Sequence, residues 1–182
     1  MSAKMQWLNE PPAWQARADR LEATTAPKSD FWRKTHYGFI RDNGHFYYQE
    51  VQGDFSVELR VSGRYEALYD QAGLMLRVDE ENWIKTGIEF FDGRQHASAV
   101  VTREFSDWSV VVLEDYPPCI WLRVTRKNEA VEIFYSLDGQ KYSLLRLAYL
   151  VPAALTLVGP MCASPDGPGF TTVFEGFQVT LL

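Results

Sequence analysis

Arg77, Lys85 and Glu89 are the residues of this sequence best placed to do chemistry together. They fall on alternate positions of two consecutive β-type segments, which puts all three on one sheet face in a fixed pleated array. Arg and Lys donate hydrogen bonds and Glu accepts them, so the group can clamp a carboxylate, a phosphate or a sugar hydroxyl. Asp70 and Gln71, where the first segment begins, extend the array with a carboxylate and an amide. His96 and Ser98 reach the same face from a third segment. Trp83, Trp108 and Tyr37 offer flat apolar faces on which a sugar ring can stack, and Trp32 can flank them. Blander readings stand beside each of these: a solvated charge ladder for the ions, core packing for the aromatics and neutral hydrogen-bonded imidazoles for the histidines.

Other chemistries lack their residues. Retaining glycosidases need two carboxyls about 5 to 5.5 Å apart, which a strand supplies through carboxylates at alternate positions. Here the nearest candidates are Glu89 with Asp92, at odd spacing with the second in a turn, and Asp79, Glu80 and Glu81 in a loop. His36, His45 and His96 show no metal-ligand spacing, and no G-x-S-x-G elbow or phosphate-cradling glycine loop occurs. Cys119 and Cys162 have no histidine in a context that suggests a dyad. No catalytic residue, metal ligand or cofactor is therefore assigned, and an enzyme is the lesser expectation.

The elements that must position these residues are strands. Tyr69 to Gly93 reads as a hairpin around the loop Asp79 to Trp83. Pairing Val78 with Ile84 sets Leu76 opposite Thr86, Leu74 opposite Ile88 and Ala72 opposite Phe90, an almost wholly apolar stripe. The same register sets Arg77 beside Lys85 and Gly73 beside Glu89. After a turn at Asp92-Gly93, Gln95 to Arg103 pairs Glu89 with Ser98 and Lys85 with Thr102, keeping Ala97, Ala99 and Val101 on the core side.

Elsewhere Phe55, Val57, Leu59 and Val61 alternate with polar residues, a half-buried strand. Asn43-Gly44 predicts a tight hairpin turn between Tyr37–Ile40 and His45–Tyr48. Lys127-Asn128 and Asp138-Gly139 mark further turns, Pro117-Pro118 interrupts the ladder, and the loop 163–169 lies beside a groove or caps one end. Residues 1–25 read as an extended segment that packs Trp7 and Trp14 onto the sandwich. Ten or more short strands without helical periodicity select an all-β, two-sheet antiparallel sandwich of the jelly-roll type, one domain over residues 1–182.

Composition sets the outer limits. The chain has 182 residues, 14% of them aromatic, and its 18 Lys and Arg against 24 Asp and Glu leave a net charge of −6. That balance argues against nucleic acid as the main partner. No run approaches the roughly 18 to 20 apolar residues of a membrane span, and the first residues lack a signal-peptide layout. With two widely separated cysteines better explained as reduced thiols, the expected location is the cytoplasm.

At DFWRKTHYGFIRDNGHFYY, YDQAGLMLRVDEENWIKTGIEFFDG, SDWSVVVL, WLRVTRK and YSLDGQKY, the chain resembles a family of unknown function. That family is named for a fungal member linked to regulation of enolase and has a concanavalin A-like lectin/glucanase fold. The resemblance implies a jelly roll of this size and carries no established reaction. Wider relatives of the fold include lectins and glycoside hydrolases whose strand carboxylates follow E-x-D-x-E or E-x-D-x-x-E, a pattern missing here.

The expectation is thus a non-catalytic domain that accommodates a carbohydrate or small polar ligand on a concave sheet face. The alternative is a protein-interaction or regulatory module with its surface in Phe31 to Tyr48, a patch that can also serve a homodimer. A hydrolase or lyase stands third.

Overall fold

The structure, a computed structural model, describes residues 4–182. Sixteen strands and no helix occur among them. One seven-stranded sheet has the order β1-β6-β15-β8-β9-β10-β11 and the other β14-β13-β12-β7-β16-β3-β2. In the first lie β1 (Gln6–Leu8), β6 (His45–Val51), β8 (Gln71–Arg77), β9 (Asn82–Phe91), β10 (Arg94–Arg103), β11 (Phe105–Val112) and β15 (Thr156–Ala163). The second holds β2 (Ala13–Arg17), β3 (Arg20–Thr24), β7 (Phe55–Gly63), β12 (Ile120–Lys127), β13 (Ala130–Ser136), β14 (Ser143–Tyr149) and β16 (Thr171–Leu181). A separate hairpin joins β4 (Phe31–Arg33) to β5 (Ile40–Asp42).

The main core lies between the sheets. Ala72, Leu74, Leu76, Ile84, Ile88, Ala97 and Ala99 of the first sheet pack against Phe55, Val57, Leu59, Val61, Leu122, Val124 and Ile133 of the second. These are the positions that the period-two patterns mark as inward. The register, however, differs from the expected one by two residues. Leu76 lies opposite Ile84 and Ala72 opposite Ile88, while Lys85 faces Met75 and Glu89 faces Gln71. Asp79 is the reason: its Oδ1 accepts hydrogen bonds from the backbone N–H groups of Glu81 and Asn82, each at 2.8 Å, and shortens the loop. On the other side of β9, Asp92 (φ 51°) and Gly93 (φ 69°) make a two-residue turn, so Glu89 faces His96 and Lys85 faces Val100. A shift of two leaves every side chain on its expected face.

A larger correction concerns Asn43-Gly44, which closes no hairpin, since β5 pairs with β4 and β6 with β1 and β15. The backbone N–H groups of Asn43 and Gly44 both donate to the carbonyl of Asp30, and Asn43 Oδ1 accepts from Asp30 N at 3.0 Å. Gly44 is small because Phe31 packs on it: an added Cβ would lie 2.4 Å from the ring. Residues 27–44 therefore fold back as a strap over the outer face of the first sheet. Under the strap, Phe31, Phe46, Met75, Trp83, Val100 and Met161 form a second apolar core.

Of residues 1–25, those described carry strands β1, β2 and β3, with β1 and β2 at sheet edges and β3 between β2 and β16, and Trp7 and Trp14 pack with Tyr47 at centroid distances of 4.8 Å and 5.7 Å. Residues 1–3 lie outside the described part. Cys119 and Cys162 are buried free thiols. No helix among the described residues is long and apolar enough to cross a membrane.

Gly87 stands opposite Gly73, and a Cβ on it would lie 2.0 Å from the carbonyl oxygen of Ala72. Gly87→Ala is expected to lower stability by about 3 kcal/mol or lower it further, because backbone must shift. Gly53→Ala meets no neighbour within 4 Å and should cost only the roughly 1–2 kcal/mol of a left-handed backbone. Urea unfolding of the two variants checks the difference.

Candidate functional site

The strap turns the outer face of the first sheet from an open surface into a roofed one. Arg77, Lys85, Glu89, His96 and Ser98 share that face as expected, yet each is buried, at 3 to 6% exposure. The strap meets the two cations. Arg77 forks onto Asp42, Nη1 to Oδ1 at 2.6 Å and Nη2 to Oδ2 at 2.8 Å. Lys85 Nζ donates to Asp30 Oδ1 at 3.3 Å and to the Phe31 carbonyl at 2.6 Å. Arg33, at the end of β4, donates from Nη2 to Glu81 Oε1 at 2.6 Å and from Nε to the Glu104 carbonyl at 3.2 Å.

Between strap and sheet a cavity of about 210 Å³ remains. Lys85 and Glu89 of β9 and Gln71 of β8 form its inner side, Trp108 of β11 and Tyr69 a wall, and Asp30, Trp32, Tyr37, Phe39 and Arg41 the roof. Pro165 and Asp166 close it from the loop after β15, so that loop does border the cavity. Gly87 lies between Lys85 and Glu89 on the same face with Gly73 opposite, so no side chain stands between the two charges.

Glu89 is the best defined group in this cavity. Its Oε2 accepts from Ser98 Oγ at 2.6 Å and from Trp108 Nε1 at 2.8 Å. Its Oε1 has no protein donor among the described residues and lies on a residue that lines the cavity. Burial pushes the Glu89 carboxyl above the ordinary glutamate range, against the opposing effects of Lys85 and its two hydrogen bonds. Lys85 likewise spends two of its three N–H donors on the strap, and Gln71 uses Nε2 on the Tyr69 carbonyl at 3.1 Å, leaving its amide oxygen. The walls are rings. Tyr37 and Tyr69 meet hydroxyl to hydroxyl at 2.9 Å, and Trp108 stands edge-to-face with Tyr69 at 6.2 Å.

The structure thus brings Lys85, Glu89, Gln71, Tyr37 and Trp108 together around one space, with Ser98 orienting Glu89 from behind. It places the remaining candidates elsewhere. Arg77 is spent on Asp42. Trp83 is 1% exposed, stacks edge-on to Phe31 and sits inside the second core. His96 packs on Phe91 with its Nδ1 3.2 Å from the Arg94 carbonyl. Asp70 ties loops, accepting from Glu66 N, Ala67 N and Ser164 Oγ. Asp30, Phe39, Arg41, Tyr69, Pro165 and Asp166 come from segments that periodicity does not connect to this face. Among them Tyr69 alone takes a positive φ, 65°, unusual for a bulky residue and invisible in the sequence.

Two outcomes check this geometry. Asp30→Ala leaves a buried ammonium without its carboxylate and should cost about 3–5 kcal/mol in denaturant unfolding. For Glu89, the folded-state pKa lies above the unfolded one, so the native chain binds more protons between the two values. The stability of the parent relative to Glu89→Gln should then be greatest at low pH and fall as pH rises from the ordinary glutamate value toward the raised one. A difference that stays flat over this window would contradict the assignment.

"Regulation of enolase protein 1" of Saccharomyces cerevisiae is 41% identical over 174 residues, 96% of this chain and 88% of that protein. A crystal structure of a functionally unknown S. cerevisiae protein superposes with a TM-score of 0.94 at 40% identity, covering 98% of this chain and 96% of that one. The GH43 BlXynB protein of Bacillus licheniformis shares the fold alone, with a TM-score of 0.73 at 15% identity over 98% of this chain and 37% of its own. The model for proteins of unknown function DUF1349 matches residues 7–181, and with the yeast relative it shows that the chain belongs to that family.

Proposed function

We propose that the protein is a non-catalytic binding domain whose roofed cavity takes a carbohydrate or similar small polar ligand of about one ring. One observation carries this reading: Glu89 is buried, held through one oxygen by Ser98 and Trp108, with its other oxygen left for a cavity walled by Trp32, Tyr37, Tyr69 and Trp108. Ring faces receive the C–H faces of a sugar, while a carboxyl oxygen, an ammonium N–H and an amide oxygen meet its hydroxyls. The volume is below the roughly 300–1,000 Å³ of sites for drug-sized ligands, which favours a monosaccharide-sized occupant. The buried free thiols fit a reducing compartment, and the reading places the chain in the cytoplasm as one domain.

The name of the yeast relative favours a second reading, a regulatory module that works through a protein partner. The strap changes which surface that partner would meet. Phe31 and Phe46 are fully buried, so Phe31 to Tyr48 is no open aromatic patch, although Tyr37 and Ile40 remain exposed.

Calorimetry against methyl glycosides of the common pentoses, hexoses, N-acetylhexosamines and uronic acids tests the first reading. At least one should bind better than millimolar, and Glu89→Gln and Trp108→Ala should each weaken it about tenfold or more. No binder across the panel would sink the reading. Retention of an enolase or other partner from native lysate, unaffected by both substitutions, would favour the second reading. Turnover of a polysaccharide lost in Glu89→Gln would favour the third, a hydrolase or lyase.

A further inference from the structure

A groove of about 890 Å³ lies next to the cavity, and Trp32, Tyr37, Tyr69 and Trp108 line both. On the groove side these rings continue into Phe91, which stacks on Tyr69 at 6.0 Å with an interplanar angle of 7° and meets Trp108 edge-on at 5.1 Å. Beyond the rings the groove is polar. Arg146 pairs with Asp107 at 3.1 Å, and Arg103 lies over Tyr149 at 5.2 Å. A carboxylate and a guanidinium side by side can accept from one hydroxyl and donate to the next, the pairing that vicinal diols on a sugar need.

We propose that the cavity holds the terminal unit of a sugar chain and that this groove holds the next unit or two. The inference rests on the carbohydrate reading above and extends it from a ring to a chain end. Three observations converge. The cavity has room for one ring and no more. The partition between the two spaces is made of aromatic rings, which present apolar faces to both sides. Between the strap and the loop before β8, that partition is closed by the hydroxyl contact of Tyr37 with Tyr69, a hydrogen bond between exposed side chains. A glycosidic link can part that contact without disturbing the buried ion pairs Arg77–Asp42 and Lys85–Asp30, which hold the strap at β5 and just before β4. Tyr37 and Tyr69 then flank the link while Trp108 serves a ring on each side.

The test measures, by calorimetry, the ratio of affinities for a disaccharide and for the methyl glycoside of its terminal sugar, across the same panel of sugars. In the parent protein the disaccharide should bind about tenfold tighter or better. Asp107→Ala and Arg146→Ala, both on the outer side of the partition, should each bring the ratio towards one, and Tyr37→Phe should leave a ratio above one by removing the closing contact. A methyl glycoside that binds as tightly as every disaccharide built on it would overturn the chain-end inference and leave the single-ring reading intact. Absence of binding by both classes would overturn the two together.

Discussion

The bond from the Lys85 ammonium to Asp30 and the Phe31 carbonyl is what the rest of the site depends on. Lys85 is 3% exposed in the middle of a sheet face, and an ammonium stripped of water there is costly unless its donors are met. Residues 27–44 supply those acceptors by folding back over the sheet, and in doing so bring Phe31 down onto Gly44 and Trp83. Arg77 with Asp42 repeats the arrangement at the far side of the strap. Buried pairs of this kind contribute little net stability compared with apolar packing, but they make wrong placements of the strap expensive. Their consequence is positional: they set the roof at a height that leaves one small cavity over Glu89 and Gln71.

Within that cavity the polar groups divide into those already satisfied and those left over. Ser98 and Trp108 fix Glu89 through Oε2, which orients the carboxyl and selects which oxygen is free. Ring walls lower the polarity around it, so the remaining acceptor and the unused Lys85 donor interact strongly with whatever replaces water there. The same enclosure raises the affinity of Glu89 for its proton. The arrangement leaves a carboxyl oxygen, an ammonium donor and an amide oxygen facing ring walls. The likeness to the GH43 BlXynB protein, at 15% identity, concerns the fold alone.

The faces of the strands were legible because the side-chain period of two is insensitive to register error. Leu74 and Lys85 were assigned to opposite faces through a register wrong by two residues, and both assignments hold. What misled was local chemistry acting out of sight of the pattern: Asp79 shortening its loop, and Asn43-Gly44 mimicking a hairpin turn while docking onto Asp30. The roof was illegible for a more general reason. Residues 27–44 meet the sheet through contacts 35 to 73 residues away in sequence, such as Asp42 with Arg77 and Arg33 with Ser106, and no periodicity encodes those. A surface read as open was therefore closed. Arg77, Trp83 and His96, sound members of the face, became structural, while Asp30 and Tyr69 entered the site unannounced.

A crystal structure of the protein soaked with the tightest-binding sugar of the panel is the most direct test of this account. It predicts density for a single ring in the cavity, with a hydroxyl within hydrogen-bond distance of Glu89 Oε1 and the ring face on Trp32 or Trp108. Density for the sugar elsewhere, with the cavity holding only water beneath an unchanged strap, would contradict it.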